Sequence, residues 1–265
     1  MTNRFKDKIV IVTGAGSGIG ETTAIKFANE GASVVVADIN PQTGNLVSKH
    51  INNNGGKSFF VETNVAEFNS VESMVSQTLD VYGIPDVLIN NAGINVFGEP
   101  LNMPDSEWKR AFSVDLDGVW FGCKAVLPHM LKKNKGSIVN VASVHGIQII
   151  PNCFPYPVAK HGVIGLTKAL AVDYAAKGIK INSISPGYIE TPIIDRFFNT
   201  KSDPIAARKE AENHQPIKRM GTTDEIANTI MFMSSDECNF MIGANIVVDG
   251  GITLRMHENE DTGAG

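Results

Sequence analysis

Seven short apolar runs punctuate the chain, near residues 8–13, 33–38, 57–61, 86–90, 136–142, 179–185 and 245–248, and the stretches between them carry helical spacing broken by polar residues. Runs such as Ile9-Val10-Ile11-Val12 and Val34-Val35-Val36-Ala37 are apolar at every position, so both faces of the strand must be covered. Strands of that kind, alternating with helices, build a parallel sheet whose right-handed crossovers put helices on either side. The predicted fold class is therefore α/β, a doubly wound sheet with helices on both faces. No Pro/Ser-rich linker divides the 265 residues, and residues 1–254 are expected to form one domain around one core. The polar tail, 255–265, is left without an assigned role.

Charge and cysteine usage narrow the possible partners. A net charge of -5 offers no basic stripe for nucleic acid. The longest apolar runs are of strand length, and the N-terminal Met1-Thr2-Asn3-Arg4-Phe5-Lys6 lacks the apolar centre of a secretion signal, so no membrane partner is expected and a cytoplasmic location is. Cys123, Cys153 and Cys238 are scattered without C-x-x-C spacing, which argues for free thiols and against a zinc site or any other metal.

The first apolar run leads into Thr13-Gly14-Ala15-Gly16-Ser17-Gly18-Ile19-Gly20. Glycines after a buried strand let a phosphate approach main-chain N–H groups, and a helix starting near Ser17 aims its positive end at that charge. The second run ends at Asp38, where a dinucleotide fold offers a carboxylate to the adenosine ribose; a 2′-phosphate there meets like-charge repulsion, so NAD is expected over NADP. Asp38 also precedes Asn40-Pro41, and a turn role there is compatible with the ribose contact, which is the reading preferred.

The fifth run delivers Ser143 at its carboxyl end, and Tyr156 and Lys160 follow at helical i, i+4 spacing. An ammonium about 4 Å from a phenol, at an effective dielectric near 20, interacts by about 4 kcal/mol, enough to move a tyrosine from about 10 toward 7. Tyr156 would then exchange a proton with an alcohol or ketone, Ser143 would hold its oxygen, and Lys160 would tune the phenol and contact the ribose.

Thr13-Gly14 with Gly18 and Gly20, then Asn90-Asn91-Ala92-Gly93, Ser143, Tyr156 with Lys160, and Pro186-Gly187 together resemble the main, roughly 250-residue branch of the short-chain dehydrogenase/reductase family. The resemblance implies a Rossmann-type, seven-stranded and mainly parallel sheet, a homotetramer or homodimer, and oxidation of a secondary alcohol to a ketone with NAD. It further implies cofactor contacts from Gly14, Gly16, Ser17, Gly18, Ile19, Gly20, Asp38, Asn64, Val65, Asn90, Ala92, Gly93, Tyr156, Lys160, Pro186, Gly187, Ile189 and Thr191.

Three positions depart from the family pattern. Asp115 stands where an asparagine usually completes a proton relay, and is counted with the catalytic set and expected to alter the pH profile. Asn64 replaces a common aspartate, and Pro157 follows Tyr156, placing the tyrosine near the helix cap.

The stretch 188–216 carries Pro192 and Pro204, which break a long helix, and reads as an irregular lid over substrate. His145, Asn152, Phe154, Tyr188 and Phe197 are the candidate substrate contacts. Their mix of polar and apolar groups suits a polyol, sugar or sugar acid, with a hydroxysteroid or other apolar alcohol as the alternative. A non-catalytic NAD-sensing scaffold is the competing class, and Ser143, Tyr156 and Lys160 count against it.

Overall fold

The computed structural model describes residues 3–254; the polar tail lies outside them. Seven strands form one sheet: β1 (Ile9–Thr13), β2 (Ser33–Asp38), β3 (Lys57–Glu62), β4 (Val87–Asn90), β6 (Gly136–Val141), β8 (Ile179–Pro186) and β9 (Asn245–Val248). Their order is β3-β2-β1-β4-β6-β8-β9, and every neighbouring pair is parallel, so the expected "mainly parallel" sheet is wholly so. The remaining two strands, β5 (Phe97–Gly98) and β7 (Phe154–Pro155), pair antiparallel as a separate ribbon.

The strands are where the apolar runs are because the central ones bury every position, β4, β6 and β8 without exception. Two cores follow, one on each face of the sheet: one holds Val10, Val12, Phe27, Val34 and Ile230, the other Ile11, Val35, Leu88, Met130 and Ile181. Alternate residues of β1 and β2 thus enter opposite cores, as a strand's period of two requires.

The order reverses direction between β1 and β4, since β2 and β3 lie on one side of β1 and β4, β6 and β8 on the other. Loops leaving β1 and β4 therefore part at their carboxyl ends and open a crevice there, where open α/β sheets bind ligands. Thr13 spans that split: its Oγ1 donates to the Ile89 carbonyl and accepts from the N–H groups of Asn91 and Ala92, while Asn91 Nδ2 donates to the carbonyls of Thr13 and Gly14.

The glycine loop is packed on this pivot. Gly14 has φ +63, and a Cβ at Gly20 would sit 2.1 Å from the Gly14 carbonyl oxygen and 2.5 Å from Asn91 Nδ2. The neighbours are backbone and a doubly bonded amide, so neither can yield cheaply. We expect Gly20→Ala to lower stability by at least about 2 kcal/mol, read as a shift in urea midpoint at unchanged m value.

The segment 188–216 is a correction to the sequence reading. It is a pair of helices, α7 (Pro192–Phe198) and α8 (Pro204–His214), in which each proline occupies the first position. Proline is compatible there because its missing N–H has no helical partner anyway, so the residues taken as breakers are starters. Thr191 and Asp203 cap the two helices, and Ile194, Phe198, Ala211 and Met220 pack between them with Tyr188 and Phe197 at the edge. No helix among the described residues is long and apolar enough to cross a membrane.

Candidate active site

Helix α1 (Gly18–Asn29) begins in the crevice, and its N-cap, Ser17, makes no side-chain cap. By contrast Asn40 caps α2 (Pro41–Asn53), and a reciprocal Thr222–Glu225 pair caps α9 (Thr223–Ser234). The first-turn donors of α1 are thus free of a side-chain acceptor. Asp38 flanks them: one carboxylate oxygen accepts from the Gly16 N–H at 2.7 Å, the other from the Asn40 N–H at 2.9 Å. A Cβ at Gly16 would stand 2.5 Å from Thr43 Oγ1 and 2.8 Å from Asp38, so only glycine lets the loop meet that carboxylate.

Across the crevice, β6 delivers Ser143, whose Oγ accepts from the His145 N–H and starts a short 3₁₀ turn, Val144–Gly146. Helix α6 (Tyr156–Tyr174) starts directly at Tyr156, with Pro155 as its cap and Pro157 in the first turn. One turn on, Lys160 is 4% exposed; its Nζ donates to the Val141 carbonyl at 3.3 Å and lies 5.4 Å from the Tyr156 ring centroid. Asp115 reaches the same ammonium, Oδ1 to Nζ 3.4 Å, from a π-helical turn (Ser113–Asp117) between α4 (Asp105–Phe112) and α5 (Gly118–Lys133).

The geometry reverses the expected direction of the Tyr156 titration. Burial, the largest influence, pushes the phenol above its ordinary value; Lys160 and the Ser143 hydroxyl pull it down and Asp115 pushes it up again, leaving it raised. The pairwise Coulomb argument omitted both the low-dielectric surroundings and the carboxylate that shares the ammonium.

An aromatic wall closes the mouth. The Phe97 ring stands edge-on to Tyr156 at 5.4 Å, to Phe197 at 5.6 Å and to His145 at 6.4 Å. Phe154, paired to Gly98 across the β5–β7 ribbon, stacks on Trp108 at 5.4 Å. Burial lowers the His145 imidazole below its ordinary value, and its Nδ1 is buried without a hydrogen-bond partner.

Comparison with known proteins shows the family to which the chain belongs. A family model described as "Enoyl-(Acyl carrier protein) reductase" matches residues 14–253. The chain is 40% identical to cyclohexanol dehydrogenase of Acinetobacter sp. (strain SE19), over 96% of this chain and 98% of that one. It is 38% identical to meso-2,3-butanediol dehydrogenase of Serratia marcescens, over 94% and 96%. A solved short-chain type dehydrogenase/reductase from Mycobacterium marinum superimposes with a TM-score of 0.89 at 31% identity, covering 96% of this chain and 98% of that one. The chain belongs to the short-chain dehydrogenase/reductase family.

As a short-chain dehydrogenase it is an oxidoreductase acting on CH–OH groups, and a nicotinamide cofactor is the family's usual partner. The residues present fit such a group. The uncapped α1 terminus suits a pyrophosphate, Asp38 retains acceptor capacity for hydroxyls, and Gly18 lies against Thr191, a Cβ on it falling 3.3 Å from Thr191 Cγ2. When bound, the nicotinamide supplies the hydride acceptor or donor.

Other anticipated contacts divide by what their side chains already do. Gly93 sits over the ion pair, a Cβ there falling 2.8 Å from Asp115 and 3.4 Å from Lys160 Nζ. Ala92 is fixed through its N–H by Thr13, and Gly187 crosses Asp249, where a Cβ would lie 2.8 Å from the Asp249 Cα. Pro186 ends β8, and Ile189 bridges to Gly221. Val65 packs on Gly118 and Ile19 on the core, so these two have only main-chain groups to offer.

Asn64 donates to Glu67 and accepts from the Ala66 N–H. The Asn90 amide turns inward, donating to Asn140 Oδ1 at 2.9 Å and to the Val119 carbonyl, and Asn140 in turn donates to Thr167. It ties β4, β6, α5 and α6 together, so its side chain is committed to the core. Asn152 is exposed on a turn at φ +61, a conformation asparagine tolerates well. Tyr188 is half-buried against α7 and α8, beside Phe197.

Phe97, Asn91 and Thr13 were missed as site residues. For Asn91 and Thr13 the signal existed in the motifs that contain them. Phe97 gave none, because it enters the site through a two-residue ribbon joining positions far apart in sequence.

Proposed function

We propose that this protein is an NAD-dependent dehydrogenase of secondary alcohols whose substrate is carbon-rich and ring-shaped. The observation that carries the reading is the convergence of Tyr156 with Ser143 and buried Lys160 behind the Phe97 wall. In the oxidation direction Ser143 Oγ–H donates to the substrate oxygen and fixes it, Tyr156 takes the hydroxyl proton, and Lys160 stabilises the resulting phenolate. In reduction the same phenol returns the proton. Phe97, Phe197 and Tyr188 keep water from the reacting carbon, and α7 with α8 form the lid.

The substrate reading moves away from a polyol or sugar acid for a physical reason. Gln148 is spent on the Thr253 carbonyl, and Arg208 on Glu190 and Asp195, so few groups remain to hydrogen-bond several hydroxyls. The Phe97 ring, edge-on to both Tyr156 and Phe197, instead favours an apolar ring, as the name of the cyclohexanol dehydrogenase relative suggests. Asp38 supports NAD, since a 2′-phosphate would bring charge against a carboxylate already committed to the glycine loop. Exposed Trp120, Val172, Phe240 and Ile242 support a homotetramer or homodimer, and three free thiols support work in the reducing cytoplasm.

Purified protein assayed with NAD or NADP against cyclohexanol, a vicinal diol, a sugar acid and a hydroxysteroid tests this. The expected result is turnover fastest with cyclohexanol and NAD, with a preference over NADP of at least about 100-fold, equivalent to about 2.7 kcal/mol. Efficient turnover of the sugar acid, or of NADP, would overturn the substrate or cofactor assignment respectively.

A further inference from the structure

Asp115 is wholly buried, at 0% exposure, in the one place where a carboxylate and an ammonium meet inside this protein's site. Its Oδ1 accepts from the Ile94 N–H at 3.0 Å and faces Lys160 Nζ at 3.4 Å; its Oδ2 is buried with no partner. The shape-level duty, fixing the loop after β4, needs only one acceptor oxygen, which an asparagine amide has as well. What aspartate adds is charge, and it adds it with one oxygen buried and without a protein partner. The charge therefore calls for a role of its own.

We propose that Asp115 is a positioning residue that neutralises the Lys160 ammonium and withholds it from Tyr156, so that this enzyme's proton acceptor is unmasked at higher pH than an uncharged residue at 115 would allow. The inference rests on the reading of Tyr156 as the group that takes the substrate proton. Its sign follows from the arrangement. Asp115 offsets part of the pull that Lys160 exerts on the phenol, so burial prevails and the phenol stays protonated to higher pH. Removing the negative partner leaves the ammonium with the neutral Val141 carbonyl and the phenol, so its charge favours phenolate more strongly.

Asp115 holds Lys160 above its ordinary value against burial and pushes Tyr156 up; burial also pushes the Asp115 carboxyl itself up, while Lys160 and the Ile94 N–H pull it back toward the charged form. The other ionisable groups packed around the pair do not compensate. Arg110 on α4 draws on Asp115 but is exposed and held by Glu107 on its own helix, Cys153 ahead of β7 is a thiol raised by burial, and burial lowers the His145 imidazole.

The test is a spectrophotometric pH titration of the full-length protein without cofactor, following phenolate absorbance. Subtracting the same curve for Tyr156→Phe isolates Tyr156 from the other three of the four tyrosines. In Asp115→Asn the Tyr156 midpoint should fall by about one pH unit or more, since a full charge about 7 Å away at an effective dielectric near 20 is worth that much. The acid limb of the kcat/KM profile for alcohol oxidation should move the same way by the same amount. Asp115→Ser, uncharged and smaller with an acceptor for the Ile94 N–H, is the second variant should the asparagine protein fail to fold. A midpoint that stays put or rises in the uncharged variants overturns the proposal. Absence of turnover with every alcohol would defeat the proposed function while the titration, needing neither cofactor nor substrate, still decides this point.

Discussion

Tyr156→Phe should lower kcat for alcohol oxidation by about 10³-fold or more while leaving KM nearly unchanged, because positioned proton transfer contributes about 10²–10⁴ and no other group stands ready to take the proton. His145, the nearest rival, lies 6.0 Å away ring to ring, with its Nδ1 buried. The substitution removes one hydroxyl and keeps the ring that contacts Phe97, so the thermal midpoint should change little. Steady-state kinetics with a melting curve separates the two effects. A variant that keeps a tenth or more of the activity would remove Tyr156 from the chemistry and leave the site without a base.

The second large effect is expected at Asp38. Asp38→Asn should narrow the preference for NAD over NADP by about 100-fold, since two unit charges about 5 Å apart at an effective dielectric near 20 repel by about 3 kcal/mol. Much of the change should appear as a lower KM for NADP. Some loss with NAD is also expected, because Asp38 binds the Gly16 N–H as well as any hydroxyl, and an amide oxygen accepts both less strongly. Measuring kcat/KM for both cofactors decides it. An unchanged ratio would mean that Asp38 is only the turn residue that its bond to the Asn40 N–H also makes it.

The strands were legible because burial on both faces leaves an unbroken apolar run, and β2 and β9 fall on the residues expected. The glycine loop was legible for a related reason: four glycines in eight residues have few uses other than close packing of backbone on backbone. The lid helices were not, since Pro192 and Pro204 have the same sequence signature whether they stop a helix or start one, and only the caps Thr191 and Asp203 distinguish the cases. Phe97 was hidden because its partners, Phe154 through the ribbon and Phe197 through the lid, are brought together by tertiary structure alone. Asn90 looked like a ligand contact because it sits in a motif, yet its amide is consumed by Asn140 on the neighbouring strand.

The acidity of Tyr156 failed for a more instructive reason. Spacing gave the right partner, Lys160, but a pair considered in isolation has the wrong surroundings. Burial and Asp115, forty-one positions ahead of Tyr156 in the numbering of the chain, outweigh the attraction. Charge networks of this kind are legible only once the fold has assembled them.

One labelling experiment bears on all of this at once: cyclohexanol carrying deuterium on its carbinol carbon, incubated with the protein and NAD, followed by mass analysis of the nicotinamide product. Direct transfer from a Tyr156-deprotonated alcohol predicts one deuterium in the reduced ring, stoichiometric with the ketone formed and absent when Tyr156→Phe is used. Reduced cofactor free of the label, or label transferred equally well by the phenylalanine protein, would contradict it.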